Sequence, residues 1–281
     1  MLFRSDDVRS LTYDTPPLDE PLEILGRPRV VLHAASTAPV AFFVAKLCDV
    51  APDGTSTLIT RGALNGTRRR SQETPEPLYP GEIYELEILL KVTSWTVPAS
   101  HRLRLSLSSA DWPVIWPSPH PATNRVYYGP AHESRLLVPA VGVQQLALPA
   151  PRLRPPPALP ATARGDSERG GWTVVRDEVS GAITVRRAWG YTISPLGSST
   201  VLRGSQRVEA GVAPSHPERA HIKGVQQFAL EQAGIKTRVT ARASIQSTVD
   251  ALHVDLHLKV AHEGAGFWNQ HWRESVPRQL L

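Results

Sequence analysis

The sequence predicts an all-β protein with two domains. Apolar and polar residues alternate with a period of two along most of the 281 residues, as they do in half-buried strands, and no long helical pattern competes with this alternation. Many short strands separated by glycine- and proline-containing turns are typical of a β-sandwich. The turns that separate strands in the first half are Gly26-Arg27-Pro28, Pro52-Asp53-Gly54, Pro80-Gly81 and Pro98-Ala99-Ser100.

The strands predicted in the first domain differ in the spacing of their apolar residues. Residues 29–36 and 40–50 are almost continuously apolar, which predicts strands covered on both faces. Residues 83–92 and 102–108 alternate, which predicts one buried and one exposed face. The residues expected to face the core are Tyr84, Leu86, Ile88, Leu90, Val92, Leu103, Leu105 and Leu107. Those expected to face solvent in the strand at 102–108 are Arg102, Arg104 and Ser106.

A proline-rich segment is expected to end the first domain. It contains Pro155-Pro156-Pro157, which favours an extended polyproline II conformation with a rise of about 3.1 Å per residue. The same composition is equally typical of a connection that lies along a protein surface. We therefore predict a first domain of residues 1–148, a linker of residues 149–166 and a second domain of residues 167–281.

The second domain is predicted to be an antiparallel β-sheet. Residues 235–245 and 252–260 alternate strictly, which predicts a meander with one dry face and one wet face. A last strand is expected around 267–272, with its aromatic side chains packed in a core. Shorter candidate strands lie at 172–177, 182–187, 191–194, 200–209 and 220–230.

Four spaced segments of the first domain carry a resemblance to a known family. They are residues 11–18 (LTYDTPPL), 43–54 (FVAKLCDVAPDG), 78–88 (LYPGEIYELEI) and 101–113 (HRLRLSLSSADWP). In this order they resemble the C-terminal β-domain of X-Pro dipeptidyl-peptidases and cocaine-esterase-like (CocE/NonD) serine hydrolases. The resemblance covers residues 11–139 and implies a jelly-roll, galactose-binding-like β-sandwich. A looser resemblance links the second domain to the extra C-terminal region of some of these proteins.

In this family the catalytic serine, acid and histidine belong to an α/β-hydrolase domain that precedes the β-domain. Met1 lies only ten residues before the first matching segment, so we expect no part of the chain to align with that domain. The resemblance therefore implies a non-catalytic β-module that packs on a hydrolase domain and shapes its active site. The hydrolase domain is a partner in cis in the family, and for this chain we consider a partner in trans. We expect no enzymatic activity from the chain alone.

The serines of the chain do not form the motif that a serine hydrolase of this family needs. That motif, G-x-S-x-G, projects the nucleophile from a strained turn between a strand and a helix. Gly54-Thr55-Ser56 is the nearest approach, but it lacks the final glycine and enters a predicted strand. Gly197-Ser198-Ser199 fails in the same way. We interpret Ser56 as a turn serine and assign no catalytic residue.

The second domain contains the best candidates for metal ligands. His253, Asp255 and His257 share one face of a predicted strand, in steps of about 7 Å. Together with His262 or His271 they could coordinate zinc or iron. The simpler interpretation is the solvent face of an amphipathic strand, because spacing alone rarely makes a site without convergent ligands. We therefore predict no metal and no cofactor, with a metal-dependent enzyme on the second sheet as an alternative.

Trp112 and Trp116 are the candidate surface residues of the first domain. They lie in a proline-rich segment, 111–124, where large aromatic side chains can form a binding surface or pack over the end of the sandwich. We predict that they contribute to an interface, which the second domain or self-association of the chain would cover. The alternative is a carbohydrate- or ligand-binding β-sandwich.

The composition argues against two classes of partner. The net charge is +5, but the basic residues are dispersed, and the only basic triplet, Arg68-Arg69-Arg70, has no interleaved aromatic residue. We therefore expect no nucleic-acid binding. No apolar stretch approaches the roughly 20 residues of a membrane helix, so no membrane partner is expected. The single cysteine, Cys48, excludes an intrachain disulfide framework, and the cytoplasm is the expected compartment.

Overall fold

The computed structural model describes residues 8–142, 152, 154, 163–168 and 170–281. It divides the chain into two compact units, one of Met1–Arg152 with Gln279–Leu281 and one of Leu153–Arg278. Within the described residues, regular structure consists of antiparallel strands and one short 3-10 turn (Gly66–Arg68), so the all-β prediction is confirmed. These residues include no helix that is long and apolar enough to cross a membrane.

The first unit is built from three small antiparallel sheets. One sheet has the strand order β1-β8-β4-β5, the second has the order β10-β3-β6 with β9 also paired to β3, and the third has the order β11-β2-β7. The strands are β1 (Leu11–Asp14), β2 (Leu22–Gly26), β3 (Arg29–Ser36), β4 (Phe42–Val50), β5 (Ser56–Asn65), β6 (Tyr84–Leu89), β7 (Thr93–Val97), β8 (Arg102–Ser108), β9 (Asn124–Tyr127), β10 (Arg135–Leu137) and β11 (Ala140–Val141). The jelly-roll connectivity stays a prediction.

The core of the first unit lies where the alternating strands direct their apolar side chains. In β6, every second residue is buried and the intervening residues are exposed, as the alternation predicts. In β4, eight of nine residues are buried, as expected for a strand covered on both faces. The core cluster includes Val30, Leu32, Phe43, Ala45, Leu47, Tyr84, Leu86, Ile88, Leu90, Leu103 and Leu107.

Two residues of these strands do not follow the prediction. Val92 is 63% exposed, because the alternating strand ends at Leu89 and the chain turns before Val92. Ser106 is only 2% exposed although it was expected to face solvent. It lies opposite Lys46 on the outer face of its sheet, and Lys46 is itself buried and paired with Asp111. The outer face of this sheet is therefore covered by the segment that begins at Asp111.

The described residues of the second unit form a single eight-stranded antiparallel sheet. Strands β14 to β19 follow one another in space as in sequence, which confirms the meander, and β12 and β13 both pair with β14. The strands are β12 (Ala163–Glu168), β13 (Trp172–Arg176), β14 (Ile183–Pro195), β15 (Val201–Ala213), β16 (His216–Gln232), β17 (Ile235–Ser247), β18 (Ala251–His262) and β19 (Ala265–Pro277). The two short strands predicted at 182–187 and 191–194 are one continuous strand, β14.

The predicted linker and the predicted domain boundaries lie mostly outside the described residues, and they stay a prediction. The last four residues of the predicted linker, 163–166, differ from the expectation because they belong to β12. The backbone of this strand pairs with residues 190–195 of β14, so these residues form part of the sheet.

The sheet of the second unit has one apolar face that is only partly buried. The register places Val185, Ala210, Ile222, Ile245 and Val254 in one row across five strands. Most apolar residues of this face are half-buried, because the described residues of this unit form one layer and no second sheet covers it. The face that was expected to be buried is therefore apolar but still partly exposed to solvent.

The aromatic residues of the last strand are not packed in a core. Phe267 is 76% exposed, and Trp268 and Trp272 are each 41% exposed. The prediction of core packing was wrong, because β19 lies at the edge of a one-layer sheet.

Candidate functional site

The segment that contains both candidate tryptophans is anchored by a buried acid, Asp111. Its Oδ1 lies 3.3 Å from Lys46 Nζ, and its Oδ2 accepts a hydrogen bond of 2.8 Å from Arg61 Nη1. The side chains of Lys46 and Asp111 are 8% and 11% exposed. The carbonyl of Asp111 also accepts hydrogen bonds from the backbone N–H groups of Val114 and Ile115. The start of the segment is thus fixed to β4 and β5.

The two tryptophans pack against each other. The ring centroids of Trp112 and Trp116 are 5.3 Å apart with the planes near perpendicular, an edge-to-face arrangement. Both side chains are half-buried, and both indole Nε1 atoms are buried without a hydrogen-bond partner among the described residues. Val114, between them, is 59% exposed. The segment therefore presents Val114 and parts of two rings rather than an open aromatic platform.

A second apolar surface lies along β1, which is the edge strand of its sheet. Leu11, Tyr13 and Tyr128 are 51%, 40% and 74% exposed, and the two tyrosine rings meet edge to face at 6.3 Å. Tyr13 and Tyr128 line a cavity of about 510 Å³ whose wall is mainly apolar and includes Leu105 and Val126. We use the name β1-edge surface for the group of Leu11, Tyr13, Leu105, Val126 and Tyr128.

Charged and phenolic groups border the β1-edge surface. Asp14 accepts two hydrogen bonds of 2.7 Å from Arg104, and these bonds lower the pKa of the Asp14 carboxyl. Burial, with a smaller contribution from Tyr128, raises the pKa of the Tyr13 hydroxyl. Sequence reasoning missed this surface, although Leu11 and Tyr13 in the LTYD segment have the alternate spacing that puts two apolar side chains on one face of a strand.

An Asp–His pair links the second and fourth of the segments that carry the resemblance. His101 Nδ1 donates to Asp49 Oδ1 at 2.6 Å, and Trp95 Nε1 donates to Asp49 Oδ2 at 3.1 Å. The Asp49 side chain is 8% exposed. Among the described residues, no serine hydroxyl is hydrogen-bonded to His101. The geometry therefore joins β4 to β7 and to the start of β8, and it does not form a triad.

Neither of the serines considered as nucleophiles takes part in such an arrangement, although Ser56 lies opposite Val50, next to Asp49. Ser56 is completely buried at the first position of β5, and no partner for its hydroxyl is found in the described part of the chain. Ser199, the other serine, is exposed in the loop between β14 and β15, and the hydroxyl of its neighbour Ser198 donates a hydrogen bond of 2.7 Å to Thr200 Oγ1.

Two of the histidines considered as metal ligands, His257 and His271, are engaged in pairs between β18 and β19, and His262 Nδ1 lies 3.1 Å from Thr237 Oγ1 of β17. His257 Nε2 is 2.6 Å from Asn269 Oδ1, and Asp255 Oδ2 accepts hydrogen bonds of 2.9 Å from His271 and from Arg273. These two bonds lower the pKa of the Asp255 carboxyl, and the bond from His271 has the larger effect. The part of the chain that the structure describes contains no group of three or more His, Cys, Asp or Glu side chains placed to hold a metal ion.

Comparison with known proteins identifies the first unit. Residues 2–137 match the family described as the X-Pro dipeptidyl-peptidase C-terminal non-catalytic domain. The first domain is an X-Pro dipeptidyl-peptidase C-terminal domain. The predicted resemblance is thereby confirmed, and both Asp49 and His101, as well as the Asp111 anchor, lie within the matched residues.

The relatives of this X-Pro dipeptidyl-peptidase C-terminal domain are named as hydrolases. A protein named as a serine esterase in Mycobacterium bovis is 34% identical over 157 residues, which cover 49% of this chain and 25% of that protein. The cocaine esterase of a Rhodococcus strain is 31% identical over 150 residues, which cover 48% of this chain and 26% of the esterase. The chain thus spans about a quarter of the length of these relatives.

Among solved structures, an α-amino acid ester hydrolase is similar to half of the chain. Its identity is 28%, its TM-score is 0.48, and the similarity covers 50% of this chain and 27% of the hydrolase.

Proposed function

We propose that this chain acts as a non-catalytic β-module that packs on an α/β-hydrolase domain and shapes the entrance to its active site. The single observation that carries the proposal is the match of residues 2–137 to a non-catalytic domain of a hydrolase family. The hydrolase domain would supply the serine nucleophile, the histidine base and the oxyanion hole of an acyl-ester or peptide hydrolase. In the relatives this hydrolase domain would belong to the same chain as the module. In an experiment it can be supplied as a separate protein.

The surface that best suits such a partner is the β1-edge surface. An exposed apolar patch rimmed by polar residues is typical of a protein–protein interface. Here Leu11, Tyr13 and Tyr128 supply the exposed apolar area, and the Asp14–Arg104 ion pair lies at its rim. Tyrosine is also among the residues most often found at interface hot spots. We propose a second contact region for the hydrolase domain, formed by Val114 and the partly exposed rings of Trp112 and Trp116.

The single cysteine supports an expectation about the compartment. Cys48 is completely buried in β4, and a protein without structural disulfides is suited to a reducing environment. We therefore propose that the protein is located in the cytoplasm.

A binding experiment tests this function. The esterase of 34% identity would be produced without its matched C-terminal region and mixed with the full 281-residue chain. We expect the two proteins to co-migrate as a 1:1 complex in size-exclusion chromatography with light scattering. Tyr13→Lys combined with Tyr128→Lys should weaken the complex at least about tenfold, because both charges would be desolvated at the interface.

Two controls make the result decisive. Tyr79→Lys replaces another exposed tyrosine of the same unit, 64% exposed and outside the β1-edge surface, and should leave binding unchanged. The esterase's own C-terminal region, supplied in trans, shows that the truncated esterase can accept a module. If that region binds and this chain does not, the proposal is wrong.

A further inference from the structure

The last strand of the second unit is an open edge. β19 ends the eight-stranded sheet, and within the described residues no strand pairs with its outer side. All 13 of its residues are exposed, including the aromatic ones. The backbone N–H and C=O groups along this side are therefore a template for another strand, because an unpaired edge offers a row of free hydrogen-bonding groups.

β19 lacks most of the features that keep natural edge strands from pairing. Its sequence, AGFWNQHWRESVP, contains no lysine, and its only proline is Pro277 at the end. The irregularity in its pairing with β18 lies near the hairpin turn, at Phe267, since Val260 pairs with Trp268 and Ala261 with Gly266, so the strand is regular from Trp268 onward. The opposite side of the sheet differs, since β12 and β13 share the outer side of β14 there.

The sequence of β19 is complementary to itself in one antiparallel register. When Gln270 lies opposite the same residue of a second copy, Trp268 lies opposite the partner's Trp272, and Trp272 lies opposite the partner's Trp268. Aromatic–aromatic pairs across strands stabilise such pairing. Trp272 is the next residue that points to the same face of the sheet as Gln270. A register centred on Trp272 would place it opposite the partner's Trp272 and would separate Trp268 from the partner's Trp272.

We propose that two copies of this chain associate through antiparallel pairing of their β19 strands, centred on Gln270. The resulting sheet would continue from one copy into the other, with the partly buried apolar faces on the same side. The four tryptophans would form one cluster at the junction, extending the contact that Trp268 and Trp272 already make at 5.9 Å. This inference rests on the second unit alone and does not depend on the proposed hydrolase partner.

A cross-linking experiment tests the register. Residues directly opposite in antiparallel strands have Cα atoms about 4.5–5.5 Å apart, within the range that a disulfide spans. Gln270→Cys should therefore give a disulfide-linked dimer under mild oxidation. The control, Gln226→Cys, places the same change at an exposed glutamine of the inner strand β16, which lies on the same face of the sheet as Gln270, and should stay monomeric on a non-reducing gel. The native Cys48 is buried and does not compete.

A second variant tests the association without cross-linking. Gln270→Lys places two like charges opposite each other and should raise the dimer dissociation constant by about tenfold or more in sedimentation-velocity experiments. Gln226→Lys should leave it unchanged. A wild-type chain that sediments as a monomer at every concentration, or a Gln270→Cys variant that cross-links no more than Gln226→Cys, would overturn the proposal. Association that survives Gln270→Lys would also overturn it, because another surface would then be responsible.

Discussion

Replacing Asp111 with alanine is expected to lower the free energy of unfolding of the first domain by about 3 kcal/mol. The carboxylate is the shared partner of Lys46 and Arg61, whose side chains are 8% and 30% exposed. Its removal would leave two cations close together with less solvation and without this counter-charge. The tryptophan segment would also lose its attachment to β4 and β5. Hydrogen exchange of the β4 and β8 amides, which open by unfolding of this domain, measures the change.

A surface ion pair supplies the comparison for Asp111. Glu87→Ala removes the carboxylate of the Arg29–Glu87 pair, whose side chains are about half exposed, and should cost less than about 1 kcal/mol. Lys46→Met added to Asp111→Ala should recover part of the loss, because removing both charges costs less than stranding one. Equal losses for Asp111→Ala and Glu87→Ala would show that the buried anchor contributes nothing special.

Replacing Gly62 with alanine is expected to destabilise the first domain by about 3 kcal/mol. Gly62 lies in β5 where the chain passes close to the end of β6. A Cβ atom at this position would lie 2.2 Å from the carbonyl oxygen of Leu89 and 2.8 Å from its carbonyl carbon. These are backbone atoms, which cannot rotate away, so the two sheets must separate locally. Hydrogen exchange of β5 and β6 would report the loss.

Gly142 offers a matched change in the same unit. Apart from its chain neighbours, no described residue has an atom within 4 Å of the position that a Cβ would take there, so Gly142→Ala should have almost no effect on stability. A Gly62→Ala variant as stable as Gly142→Ala would show that β5 and β6 are not in close contact at this point.

The strands were predictable from the sequence because alternation is a local property. The bounds of β3 and β8 agree with the predicted ones, and those of β6, β17 and β18 differ by a few residues at their ends. The mistakes concern what lies on the second face of a strand. Ser106 has the spacing of a solvent-facing residue, but it is buried on the face where the segment that follows β8 returns and pairs Asp111 with Lys46.

The buried anchor illustrates the same limit for the candidate site. A lysine in the apolar run of β4 signals that Lys46 needs an acidic partner, since a buried charge is costly when unpaired. The sequence does not say which acid meets it, because that depends on how the chain returns after β8. Likewise, the exposure of Phe267 and of the β1-edge surface follows from their places at sheet edges, and strand order is not encoded in local spacing.

A turnover assay is the direct test of our proposal that this chain is a non-catalytic module. The motif G-x-S-x-G occurs nowhere in the 281 residues, and His101 is committed to Asp49 in a structural contact. With a short-chain nitrophenyl ester, the purified chain should release nitrophenol no faster than buffer, and a serine-directed phosphonate should leave its mass unchanged. A burst of nitrophenol that the phosphonate abolishes, together with one phosphonyl adduct per chain, would show instead that the chain carries a catalytic serine.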